Sequence, residues 1–361
     1  MANSVAYGFT GLTDLFGQRV AEAGVERVWD AIELSGQEYN RVVIEMAAEL
    51  VDRLIIAQEQ IELPGDGTLQ PLDEWGNPLP VQPSGNYQVA YPIQGGGTAW
   101  GTNRVSAALL TVEEANRFTL DAYHRDADWL IRHMLAAVLD NTTWTFSDKV
   151  GPGGTKGLGN ITIQPLANGD SVTYVKKGAS APATDTHYLF QAAAISDVAN
   201  PFPTIYTELV EHPSNSGPIK TYVATSLVSS IEGLTNFVQV KDPDIQYGIA
   251  TNQLAGGMDI GFGDRVVGKV DNCWIIEWGR LPAGYMIGHA SGVPILGMRE
   301  YPVPELQGFF PERHSPDGNL VLNRFIRYAG FGVRNRVAAL AYHVGNGSYG
   351  IPTGYNTPLP V

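Results

Sequence analysis

The residues most able to carry chemistry in this chain are its histidines, and their spacing argues against a shared site. His289 precedes Ser291 in the run Gly-His-Ala-Ser-Gly at 288–292. A nucleophile elbow needs its serine at the apex between the glycines, and this serine is displaced by one position. His124 and His133 lie nine residues apart on a predicted helix, so they face opposite sides and cannot share a metal.

Two glycine-rich runs match phosphate-binding motifs only in part. Residues 345–350 have the spacing GxGxxG, but a pyrophosphate site needs a helix after the motif, and a proline-rich tail follows here. The run at 151–157 lacks the spacing and the Gly-Lys-Ser/Thr ending of a P-loop. The acidic groups at 242–244 and at Asp259 and Asp264 do not match an EF-hand loop. We therefore expect no catalytic residue, no cofactor and no metal.

The composition indicates a surface that partners cover. Of the 361 residues, 44% are hydrophobic and only 17% are charged, which is below the quarter that is typical of soluble proteins. The net charge of −14 repels nucleic-acid phosphates, since no basic stripe overrides it. The lone Cys273 lies in an apolar run and is predicted to be a small buried hydrophobe. The sequence has no signal peptide and no stretch near the roughly 18 apolar residues that cross a membrane, which predicts synthesis in a cytosol.

Helix and strand signals alternate along the chain. A capping box at Ser35 predicts a helix that Pro64-Gly65 stops, and a second box at Thr111 opens the strongest helix, 112–140. Further helices are predicted at 187–198 and 226–237, and strands at 219–224, 265–270, 273–278 and 284–289. Residues 319–345 are predicted to form two long antiparallel strands with a break at Gly330 or Gly332.

Residues 63–104 differ from everything around them. They contain six prolines, eight glycines and four charges, but also four large aromatic side chains, Trp75, Tyr87, Tyr91 and Trp100. A disordered linker has fewer aromatics and more charge, and a core element has less proline and glycine. We therefore predict an extended loop that acts between subunits, with the four aromatics as inter-subunit contacts. The alternative is a loop that folds back on its own subunit.

This order of parts resembles the tailed-bacteriophage major capsid protein, whose architecture is called the Johnson fold and is shared with encapsulins. Residues 274–278, followed by Leu-Pro-Ala-Gly at 281–284, look like the two strands and the turn of that family. Residues 325–342 look like its terminal strands. The resemblance implies an α+β fold in five parts: an N-terminal arm at 1–62, an extended loop at 63–110, the spine helix and peripheral domain at 111–185, an axial domain at 186–300, and C-terminal strands of the peripheral domain with a tail at 301–361.

The resemblance also implies a function without catalysis. The chain is expected to self-assemble into the hexamers and pentamers of an icosahedral shell that encloses the double-stranded DNA of a tailed phage. The expected location is the virion, after assembly in the host bacterial cytoplasm. Expected partners are other copies, a separate scaffold protein, a portal, and a decoration or cement protein, with DNA enclosed and no membrane. Some family members cross-link a loop lysine to a neighbour's asparagine, but the first lysine here is Lys149.

Two other classes of protein stay open. An encapsulin-type bacterial nanocompartment has the same fold and encloses an enzyme cargo. That family is usually shorter, and the insertion at 148–185 favours a phage. An enzyme is the third class, and it would require a pocket with perturbed titrating groups.

Overall fold

The computed structural model describes residues 16–63, 72–78, 85–103, 109–150, 156–179, 181–239, 265–314 and 320–359. Within these ranges the α-helices are α1 Val20–Ala23, α2 Val25–Ala47, α3 Val112–Leu139, α4 Phe202–Val210 and α5 Thr225–Glu232. The β-strands are β1 Val51–Leu54, β2 Gln58–Leu63, β3 Gly85–Ala90, β4 Gln94–Asn103, β5 Trp144–Val150, β6 Lys156–Ile163, β7 Thr173–Tyr174, β8 Ala183–Thr184, β9 Tyr188–Gln191, β10 Ile219–Val223, β11 Phe237–Gln239, β12 Arg265–Val270, β13 Cys273–Glu277, β14 Tyr285–Ala290, β15 Leu296–Arg299, β16 Phe309–His314, β17 Leu320–Val333 and β18 Ala339–Val344. The chain is thus an α+β protein, as predicted.

The 28-residue helix α3 is the predicted spine helix, and its start is set by the predicted capping box. The Thr111 hydroxyl accepts a hydrogen bond from the Glu114 amide at 3.2 Å, and the Glu114 carboxylate accepts one from the Thr111 amide at 3.1 Å. These two bonds satisfy amides that a helix start leaves unpaired. The helix is about 42 Å long and packs against β17 and β4.

Helix α2 corrects the prediction made from Ser35. It begins at Val25, directly after Gly24, so Ser35 lies inside the helix and its hydroxyl donates to the Ile32 carbonyl at 2.9 Å. The apolar stripe that buries the helix already starts at Val28, ahead of the capping signal. The helix ends at Ala47 and not at Pro64, because strand β1 then pairs in parallel with β15.

The first main sheet has five strands and is built around the long strand β17. β16 pairs with one edge of β17, and β4 and β15 pair in succession along it, with β1 beyond β15. The predicted break at Gly330 or Gly332 is wrong, because β17 runs unbroken through both. At Gly330 the Pro92 carbonyl oxygen would lie 1.6 Å from an added Cβ atom, so the glycine permits close approach of the backbone.

The second main sheet has seven strands in the order β11-β12-β13-β10-β14-β18-β9, and α4 and α5 pack on it. β17 and β18 were predicted to pair with each other, but they lie in different sheets and are joined by a turn at 334–338. β18 therefore lies in the sheet of the predicted axial region. The strands predicted at 273–278 and 284–289 are present, with β10 between them.

The prediction of a helix at 187–198 is also wrong. Tyr188–Gln191 form the edge strand β9, which pairs in parallel with β18, and a helix follows only at Phe202. Pairing within a large sheet has overridden the local helix preference of the alanine-rich run. The helix predicted at 226–237 is present as α5 but ends at Glu232, before Gly233.

Candidate assembly surface

The extended loop has a folded base that belongs to its own chain. Strands β2 and β3 form an antiparallel pair of six residues each, and Tyr91 follows β3 with a fully buried side chain. The Tyr91 hydroxyl donates to the Glu59 carboxylate, and burial together with this carboxylate raises the pKa of the tyrosine. Its ring fills the space where Gly297 and Gly332 have no side chain, with ring atoms 2.4 and 2.7 Å from the added Cβ positions.

Two further predicted contact residues also touch their own chain. The half-buried Tyr87 donates its hydroxyl proton to the Arg334 carbonyl at 2.6 Å, and burial raises the pKa of Tyr87 to about 12. The half-buried Trp100 stacks on Phe118 of α3 at 5.4 Å between ring centroids. Inter-subunit contact is therefore wrong for the Tyr91 side chain. For Tyr87 and Trp100 it stays a prediction that concerns only their exposed area.

Strand β4 makes the larger correction. It pairs along ten residues of β17, from Gln94 with Ala329 to Asn103 with Leu320. Residues 85–103 therefore contribute to the subunit's own sheets, contrary to the prediction that all of 63–104 acts between subunits. The prolines that argued against a paired strand lie outside β3 and β4.

The tip of the loop contrasts with this base. In residues 72–78 the Asp73 carboxylate accepts hydrogen bonds from the amides of Trp75 at 2.9 Å and Asn77 at 2.7 Å. These bonds lower the pKa of Asp73, the Asn77 amide having the largest effect. Gly76 has a φ of +78°, which suits a tight turn. The turn presents Trp75 with 87% of its surface exposed, beside Leu72.

The other residues considered for chemistry are placed as structural groups. Cys273 is buried, and burial raises the pKa of its thiol to about 12, which keeps it protonated and unreactive. His133 is buried in α3, whereas His124 is exposed on the same helix. The acidic groups at 242–244, Asp259 and Asp264, and most of the glycine run at 151–157, lie outside the described residues.

One group in the described part of the chain has metal-ligand chemistry. Side-chain ligand atoms of Asp185, Glu211 and His212 lie within 4.8 Å of one another. The ammonium of Lys176 lies 3.2 Å from Asp185 and 2.5 Å from Glu211. The Lys176 ammonium thus already pairs with both carboxylates, and His212 donates a hydrogen bond to Asp185, so we assign no metal to the group.

Among the described residues, sequence reasoning missed several buried ion pairs, including three with close contacts between the charged atoms. Asp126 of α3 pairs with Arg327 of β17 at 2.7 Å, with both side chains 2% exposed. Two further pairs join elements distant in sequence, Asp170 with Arg336 at 2.5 Å and Glu49 with Lys220. The available signal was a lone charge inside an apolar strand, as in Ile219-Lys220-Thr221-Tyr222-Val223.

Comparisons with known proteins give structural likeness only. No protein-family model matches the sequence, and no curated protein matches it. A solved chain of Mycobacterium phage Patience is 18% identical, with a TM-score of 0.67 and 99% of each chain covered. A chain of the bacteriophage PhiM1 mature capsid is 12% identical, covers 83% and 86% of the two chains, and has a TM-score of 0.49. A chain of the cyanophage P-SCSP1u capsid is 9% identical, covers 82% and 86%, and also has a TM-score of 0.49.

The likeness to the Mycobacterium phage chain extends over nearly all of both chains. It shows that this protein shares the fold of that phage chain, an α+β fold as the sequence predicted. Among the described residues, none of the helices is both long and apolar enough to cross a membrane.

Proposed function

We propose that the chain is the major capsid protein of a tailed phage, which self-assembles into an icosahedral shell of hexamers and pentamers. The observation that carries the proposal is the shared fold with a phage chain over 99% of both molecules. The proposed role is structural, since the buried acidic and basic groups described above pair with one another.

The exposed loop tip supplies the means of assembly. A tryptophan buries about 150–250 Å² when covered, which at ~25 cal/mol per Å² gives an upper estimate of about 4–6 kcal/mol. Trp75 is held on a preformed turn, so little ordering entropy opposes its docking on a neighbouring subunit. Residues 64–71 and 79–84, which flank this turn in sequence, lie outside the described residues.

The regional assignment follows the same proposal, with one change. The arm is 1–62, the extended loop 63–110, the spine helix and peripheral domain 111–185, and the axial domain 186–300. The C-terminal region 301–361 then serves both domains, because β17 lies in the five-stranded sheet and β18 in the seven-stranded one. The extended loop is divided between a base on its own chain and a tip for neighbours.

The proposed partners are those that the resemblance to tailed-phage capsid proteins implies. Because the net charge of −14 repels phosphates, the proposed shell encloses DNA without tight binding by the subunit. A separate scaffold protein, a portal and a decoration or cement protein complete the particle, which assembles in the host bacterial cytoplasm. Residues 1–148 contain no lysine, so the arm, loop and spine cannot donate an amine to an isopeptide bond.

Electron microscopy of the native particle, with analysis of its contents, tests the function. Icosahedral particles that contain double-stranded DNA support a phage capsid, and particles that contain an enzyme instead identify a nanocompartment. A 39.0 kDa monomer under every condition, with scaffold present, overturns both assignments. Boiled particles on a denaturing gel should give a single band near 39.0 kDa, and a ladder of covalent oligomers would contradict the non-covalent shell.

A further inference from the structure

The two main sheets are joined by two short connections that lie side by side. Residues 291–295 link β14 to β15, and residues 334–338 link β17 to β18. The Ile295 carbonyl accepts hydrogen bonds from the amides of Arg334 at 2.9 Å and Asn335 at 3.0 Å. Both connections therefore form one bonded unit, and rotation of one sheet against the other must bend both.

The turn after α2 also bonds to the connection between β14 and β15. The Leu50 carbonyl accepts hydrogen bonds from the amides of Ile295 and Leu296, each at 3.0 Å. The residue before it, Glu49, extends its carboxylate from the side of the five-stranded sheet into the seven-stranded one. The turn thus brings an acidic group to the place where the two sheets join.

The Glu49 carboxylate has four neighbours there. It pairs with the ammonium of Lys220 and accepts a hydrogen bond from the Tyr222 hydroxyl at 3.2 Å, both residues being on β10. It also accepts one from the Ser291 hydroxyl at 3.2 Å, at the first residue of the connection. His289 Nδ1 of β14 lies 4.0 Å away. Lys220, Tyr222 and His289 are buried, so water does not replace these contacts.

The connection itself can change direction. Gly292 has a φ of +86°, which side chains disfavour, and nothing lies within 4 Å of where its Cβ would be. His289 Nε2 donates to the Val293 carbonyl at 2.9 Å, which ties the next residue to β14. Burial lowers the pKa of His289, so the ring is neutral and its other nitrogen carries no proton toward Glu49. The contacts that hold the Glu49 carboxylate at the joint are therefore the ion pair with Lys220 and the hydrogen bonds from the hydroxyls of Tyr222 and Ser291.

We infer that Glu49 is a positioning residue that fixes the angle between the two sheets of the subunit. The consequence for assembly rests on the proposed function: in a shell, the angle between the two sheets sets the curvature that each subunit contributes. Removing the carboxylate should leave both sheets folded, because the apolar core that they share stays in place, and should loosen the joint where Glu49 connects the turn after α2 to β10.

Electron paramagnetic resonance distances in the isolated full chain test the inference. Spin labels are placed at exposed Glu113 on α3 and exposed Ser230 on α5, with the buried Cys273 kept. Glu49→Gln should at least double the width of the distance distribution. Asp126→Asn is the matched control, since it removes a buried, paired carboxylate that bridges α3 and β17 on one side only. Equal widths in the two variants would overturn the inference.

Two further arms keep the outcome decisive. Should Glu49→Gln not fold, Tyr222→Phe removes one donor to the same carboxylate and should broaden the distribution by a smaller amount, and an unchanged width then overturns the inference. In assembly with scaffold, wild-type protein should give one particle size and Glu49→Gln several, and a single size for both contradicts the role in curvature. Failure of the wild-type protein to assemble counts against the capsid proposal alone, because the distance measurement needs no shell.

Discussion

The base and the tip of the extended loop have similar composition and opposite environments. Around the base, glycines let backbone and rings approach closely, as Gly297 and Gly332 do around the Tyr91 ring. At the tip, Gly76 serves a turn, and the aromatic side chain beside it points into solvent. The same residue types thus build a core in one place and an exposed turn in the other, and the difference lies in the residues that the rest of the chain packs against them.

The largest effect should come from replacing either region. Replacing residues 66–100 with a short Gly-Ser linker removes β3 and most of β4, which leaves the edge of β17 unpaired and Tyr91 missing. We expect this variant not to fold, as judged by circular dichroism and the loss of a cooperative melt. Replacing only residues 64–84 should leave the melt intact and abolish shells. A normal melt for the longer replacement would mean that the base is not part of the core.

A single substitution at the base should have the next largest effect. Tyr91→Ala removes a fully buried ring that contacts two glycines and leaves the Glu59 carboxylate without its hydroxyl donor. Truncation of buried aromatics costs about 3–5 kcal/mol, so the free energy of unfolding should fall by about that amount in urea titrations. Tyr91→Phe keeps the ring and loses the hydrogen bond, which should cost about 1–2 kcal/mol. Equal effects of the two would assign the stability to the hydroxyl group alone.

The sequence predicted the spine helix and most strands of the seven-stranded sheet, because their signals are local. Thr111 and Glu114 lie three residues apart, and the apolar runs of β12 to β14 each predict a strand from adjacent residues alone. It could not predict that the apolar surroundings of Tyr91 come from residues 297 and 332, since their contact depends on tertiary packing. For the same reason the partners of Lys220 and Arg327, 171 and 201 residues distant, stayed hidden.

The base and the tip of the loop should lose stability at different pH values as the solution is acidified. His133 lines a small cavity with Pro92 and Gln94, and burial, with a smaller contribution from Arg132, lowers its pKa against the Trp129 carbonyl, which raises it. The unfolded chain therefore binds this proton first, so its contribution to stability is complete above pH about 6.5 and is lost as the pH falls below that value. Hydrogen bonds, the largest from the Asn77 backbone amide, lower the pKa of Asp73, so the ionised carboxylate stabilises the tip turn above pH about 3.8. That stability is lost only as the pH falls below this value.

Hydrogen exchange at several pH values, corrected for intrinsic rates, measures this separation. Amides of 85–103 should lose protection between pH 6.5 and 5, while those of 72–78 should keep theirs to below pH 4. His187 and His289 are also buried with lowered pKa values, so His133→Phe should remove only part of the acid sensitivity. Tip amides that lose protection together with the base would mean that the two regions open as one unit.

The smallest effect on the isolated chain should come from Trp75→Ala, and this makes it the sharpest test of the comparison. Because the side chain is 87% exposed, its removal should change the free energy of unfolding by no more than about 0.5 kcal/mol. We propose that a neighbouring subunit covers the same side chain in shells, so the protein concentration needed for assembly should rise at least tenfold, which corresponds to about 1.4 kcal/mol. Trp75→Phe keeps most of the apolar area, and its assembly concentration should lie between those of the wild type and Trp75→Ala.

If Trp75→Ala instead destabilises the isolated chain as Tyr91→Ala does, the tip packs on its own subunit. If it changes neither quantity, neighbours are held by other surfaces, because an exposed aromatic on a preformed turn with no effect on assembly has no contact to lose.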